Sequence, residues 1–141
     1  MTPVAYFEAL TDVAVGCHKA TSEEEKITCL NRAVELATII SGRDYIERFR
    51  GLIKRGHEDQ EMLESSRQLF SRSLDDIEAV ANLVSSLNDY GKLVVEHPRV
   101  ADSYRDLSIR ILADCGGAGL SALMAVRFHY WDDEFVTKDE N

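Results

Sequence analysis

Along almost the whole chain, apolar residues recur at steps of three and four. That is the repeat of a helix with one face buried, not the strict alternation of a half-buried strand. The spacing predicts an all-α fold. The only strand-like rival, Lys92-Leu-Val-Val-Glu96, is too short and too isolated to build a sheet. With 45% of 141 residues hydrophobic, one core can form without a disulfide or a metal. The expected architecture is a single-domain helical bundle of about six to seven helices over 1–131, followed by an acidic, frayed tail over 132–141.

Caps and breakers divide the pattern into seven helices. Thr2 before Pro3 is an N-cap with proline in the first turn, and Val4, Phe7, Leu10, Ala14 and Cys17 form one face of a helix reaching about Lys19. Thr21 with Glu24, or Ser22 with Glu25, makes a capping box for the second helix, which Gly42 ends. The third covers about Arg43 to Arg55, with Gly56 as its stop. The fourth runs from about Glu58 to Ser71, with Met62 and Leu69 on one face. Ser73 followed by Asp76 opens the fifth, which extends to Val94 with an interruption at Asn88-Asp89-Tyr90-Gly91. Pro98 sets the next boundary, and Val100, Tyr104, Leu107 and Ile111 line the sixth. Gly116-Gly117 breaks it, and the seventh occupies roughly Ala118 to Trp131.

The first basic residue is Lys19, so no signal-peptide pattern opens the sequence, and the longest apolar run, Cys115 to Val126, is too short to cross a bilayer. Three cysteines without paired spacing read as reduced thiols. The expected location is cytoplasmic, with no membrane contact.

Charge is uneven. The total is −9, yet Arg43 to Arg55 carries five bases against two acids, and the acidic excess lies on either side of it. An acidic surface opposes nucleic acid and steers toward a basic partner. Metal and cofactor sites are not expected. Cys17, His18, Cys29 and Cys115 fit no zinc spacing, His57, His97 and His129 are scattered, and no Glu-x-x-His pair occurs. Ser121 lacks the strand and second glycine of a nucleophile elbow. Cys115, beside two glycines at a helix start, is the one thiol whose position suits activation.

Two features remain. Gly117, Ser121 and Ala125 give one side of the last helix only small residues, a candidate contact within the fold or a homodimer face. The other side carries Leu120, Leu123, Met124 and Phe128, and the helix ends in Arg127-Phe-His-Tyr-Trp131, rich in the residue types of binding hot spots. The expected function is therefore non-enzymatic: an acidic protein of inhibitor, immunity-factor or adaptor type. It would bind a basic surface on another protein through Arg127, Tyr130, Trp131, Asp132, Asp133 and Glu134. The alternative is a dimeric DNA-binding regulator, with the basic helix 43–55 presenting Arg43, Arg50 and Lys54 after a glycine turn.

Overall fold

The computed structural model describes residues 1–61 and 63–130, and among these the chain is helical with no strand. In order the helices are α1 (Pro3–Lys19), α2 (Glu23–Thr38), α3 (Gly42–Glu58), α4 (Glu64–Glu96), α5 (Pro98–Asp114) and α6 (Gly116–His129). Only Cys115, itself in right-handed helical conformation, separates α5 from α6, so the stretch Pro98–His129 also reads as one long helix. Both α1 and α4 pack against α2, α3, α5 and α6. The core between them includes Tyr6, Phe7, Leu10, Leu30, Phe49, Ile53, Phe70, Ile77, Leu83, Leu87 and Leu112, all fully buried. At its centre the Phe7 and Phe49 rings lie stacked, 3.9 Å apart and nearly parallel.

Local signals at the N-terminal helices act as capping chemistry requires. Thr2 accepts a hydrogen bond from the Ala5 amide at 2.9 Å, and Ser22, rather than Thr21, accepts from the Glu25 amide at 3.1 Å.

Elsewhere, tertiary packing overrides the punctuation. The predicted break between the fourth and fifth helices does not exist, because α4 continues for 33 residues. Ser73 is not a cap: it is fully buried, and its hydroxyl donates back to the Leu69 carbonyl at 2.8 Å. The interruption at 88–91 is absent as well. A Cβ on Gly91 would sit 3.0 Å from Val34 Cγ1 and 3.3 Å from Thr38 Cγ2, so this glycine lets α2 lie close against α4. Gly42 starts α3 instead of ending α2, which stops at Thr38, and its missing Cβ leaves room for the Tyr6 hydroxyl 3.0 Å away. α3 continues past Gly56 to Glu58, and α4 begins only at Glu64. The predicted fourth helix therefore falls partly on a loop, and Met62 lies outside the described residues.

The apolar face assigned to the sixth predicted helix is also turned. α5 buries Ala101, Ile109 and Leu112, and leaves Val100, Tyr104 and Leu107 roughly half exposed. By length and hydropathy, Pro98–His129 would qualify as a membrane span, but 44% of its most apolar window is buried against the rest of the fold. Ile109, Leu112, Ala122, Ala125 and Val126 serve the core here.

Candidate functional site

The end of α6 meets the end of α3 at a cleft of about 330 Å³ lined by Arg55, Glu58, Asp59, His129 and Tyr130. Its geometry begins at Gly56. There a Cβ would lie 2.4 Å from Phe70 Cε1, so only glycine lets the Phe70 ring of α4 press onto α3. Phe70 in turn supports the His129 ring edge-on, at 5.3 Å and 79°. The imidazole meets Tyr130 at 4.6 Å, again nearly perpendicular. Its Nε2 is 3.4 Å from Asp59 Oδ2, which makes an ion pair when the ring is protonated.

Tyr130 is fixed from both ends. Its hydroxyl donates to the Leu52 carbonyl at 2.9 Å, and the Arg55 guanidinium lies over its ring at 5.7 Å. The loop is held too, since Arg67 donates to the Asp59 carbonyl at 3.2 Å. Glu58 is exposed and has no ion-pair partner among the described residues.

Of the expected partner-binding residues, Tyr130 thus belongs to the cleft, with its ring held in place. Arg127 points to α1, where it pairs with Glu8. Trp131, Asp132, Asp133 and Glu134 lie outside the described residues. Sequence reasoning misses Glu58 and Asp59 because it assigns them to the start of the fourth helix, whereas Glu58 ends α3 and Asp59 lies in the loop after it. The pair Gly56 and Phe70, one tiny and one large, was the signal that α3 and α4 meet there.

The small-residue side is split. Ala125 is fully buried, Ser121 half-buried and Gly117 exposed, so these three do not form one free face. The small residues that admit a neighbour are Gly116, against Val15, and Gly119, whose Cβ would lie 2.6 Å from Thr11 Oγ1. Both contacts bring α6 onto α1 within the fold.

The basic row of α3 is also divided. Arg50 is held by Glu47 and, at 2.9 Å, by Glu78 of α4, while Arg43 and Lys54 are exposed. Arg50 therefore links two helices.

The surroundings of Cys115 favour its thiol over the thiolate. Burial, reinforced by Asp114, raises its thiol pKa, and Sγ lies 3.8 Å from the Ala79 carbonyl. Cys17, 2% exposed, is shifted the same way, chiefly by burial and then by Cys29. No group of three or more His, Cys, Asp or Glu side chains converges to hold a metal among the described residues. Comparison with protein-family models, characterised proteins and solved structures found no match.

Proposed function

We propose that this chain is a non-enzymatic acidic helical protein that binds a basic surface on another protein, as a small inhibitor, immunity factor or adaptor does. The observation that carries the reading is the α3–α6 cleft. It offers an exposed, unpaired carboxylate at Glu58, beside it the half-buried carboxylate of Asp59 that faces His129, and the anchored ring of Tyr130. A lysine or arginine side chain entering there would meet the Glu58 and Asp59 carboxylates, whose two charges outweigh that of Arg55, the cation already lying over the Tyr130 ring. Because Tyr130 is already held at both ends, little side-chain entropy remains to be lost when a partner docks on it.

The surrounding field supports the same reading. Glu23, Glu24, Glu25, Glu35, Asp75, Asp76, Asp89, Asp102 and Asp106 form no ion pair within the described residues, so their charge acts outward. Such a field raises association rates with a basic partner and weakens as salt is added. The three free thiols suit a reducing, cytoplasmic setting.

The test is an NMR titration of the isotopically labelled protein with an arginine-rich peptide and, separately, a glutamate-rich peptide of equal length. The arginine-rich peptide should shift resonances of Glu58, Asp59 and Tyr130, and Glu58→Lys should weaken that binding about tenfold or more. Equal responses to both peptides, or shifts confined to other surfaces, would sink the proposal.

A further inference from the structure

α6 carries a second surface, independent of the cleft. From Gly116 to Val126 the helix has no charged residue, although the chain as a whole carries −9. Leu120, Met124 and Phe128 are nevertheless 42%, 68% and 78% exposed. They follow one another at steps of four, so they share one side of the helix, and Gly117 lies on that side one turn before Leu120. A Cβ on Gly117 would meet nothing within 4 Å, so nothing within the described fold accounts for a glycine there.

We infer that this strip is the interface of a symmetric dimer, in which α6 of one copy packs antiparallel on α6 of another. The order of side-chain sizes along the strip is the main argument. Read forward it runs glycine, leucine, methionine, phenylalanine, and an antiparallel copy presents the same order reversed. Phe128 of each chain then falls at the level of the other's Gly117, where the absent side chain leaves a recess. Leu120 and Met124 face their counterparts' Met124 and Leu120 in the middle. A two-fold axis satisfies every contact twice, as an isologous interface requires.

Charge and area agree with this occupant. Two copies of an acidic protein repel each other over most of their surface, and this strip lets them meet where no charge stands between Gly116 and Val126 and where Arg127, at its edge, is paired with Glu8. The three large side chains expose on the order of 400 Å² per copy, about the size of patch that marks an interaction site. Doubled, that is roughly 800 Å² before flanking residues are counted, at the low end of specific interfaces. The expected dimer is therefore reversible, with Kd on the order of micromolar.

Sedimentation velocity from about 1 to about 200 µM tests it, because a micromolar equilibrium crosses from monomer to dimer in that range. The wild type should show concentration-dependent dimerisation that added salt strengthens by screening the like charges elsewhere, unlike binding through the acidic surface, which salt weakens. Met124→Lys should raise Kd at least tenfold by placing like charges at the centre. Gly117→Leu should do the same by filling the recess, and since its position is open in the monomer, circular dichroism and thermal stability should hold. A wild type that stays monomeric throughout, or a dimer that survives both substitutions, overturns the proposal and leaves the strip to a different partner.

Discussion

Two glycines of α3 give a paired test of how the fold uses them. Replacing a helical glycine by alanine gains up to about 1 kcal/mol from reduced backbone entropy in the unfolded chain. At Gly51 a Cβ meets nothing within 4 Å, so Gly51→Ala should raise stability by about 0.5–1 kcal/mol. At Gly56 the same methyl would lie 2.4, 2.7 and 2.9 Å from three atoms of the Phe70 ring. Carbon atoms settle near 3.5 Å, so the ring must retreat by about 1 Å. Phe70 is only 1% exposed and braced by His129, and overpacking of that kind costs about 1–3 kcal/mol. Net of the propensity gain, Gly56→Ala should lose up to about 2 kcal/mol, and because that gain is common to both variants they should lie about 1–3 kcal/mol apart. Urea unfolding with a common m-value measures the separation directly. Gly56→Ala combined with Phe70→Leu should recover part of the loss relative to Phe70→Leu alone, because the ring that clashes has gone. Equal shifts for Gly51→Ala and Gly56→Ala, or a stabilising Gly56→Ala, would refute the close approach of α3 and α4.

Further outcomes follow from buried groups. Burial raises the Tyr6 phenol pKa to about 12, and its hydroxyl donates to the Leu36 carbonyl at 2.7 Å. The folded state thus holds the proton more tightly than the unfolded state, so the stabilisation is complete below about pH 10 and is lost as pH rises toward 12, an effect of about 2–3 kcal/mol. Tyr6→Phe should cost about 1 kcal/mol at neutral pH and flatten that alkaline decline; an unchanged decline would assign it to other groups. Cys115 should react with iodoacetamide more slowly than free cysteine at pH 8, and mass spectrometry showing equal or faster labelling would reopen a catalytic role. Arg127→Ala removes a partly exposed pair with Glu8, so thermal unfolding should register less than about 1 kcal/mol; a loss well above that would mean Arg127 holds more than this pair.

The sequence made helix starts legible where the cause is local. Thr2 and Ser22 act through hydroxyls that reach an amide three residues on, and no other part of the fold takes part. The unity of α4 was not legible, because whether Ser73 caps a new helix or bonds back to Leu69 depends on its burial under other helices. The same holds for Gly91, whose lack of a side chain answers to Val34 across a helix contact. The buried face of α5 is set by a related cause. Val100, Tyr104 and Leu107 have the right spacing, but small Ala101 occupies the tight contact, and size is invisible to a periodicity argument. In the candidate site, Tyr130 stood out by residue type and Arg55 only as one base of a cluster. Glu58 and Asp59 enter through the path of the α3–α4 loop, which no local pattern marks.

The contact of α1 with α6 has a consequence in time. Gly119 closes onto Thr11, and Gly116 onto Val15, across roughly a hundred residues of chain. At typical synthesis rates the surface of α1 waits on the order of ten seconds for α6 to emerge from the ribosome. For most of that interval α2 and α3, made immediately after α1, are the helices available to cover Tyr6, Phe7 and Leu10, with α5 joining them only just before α6. The stacked pair Phe7–Phe49 joins α1 to α3 and is complete once residue 49 is out. The first three helices can therefore shelter one another during synthesis, and the arrival of α6 then locks the nascent chain shut.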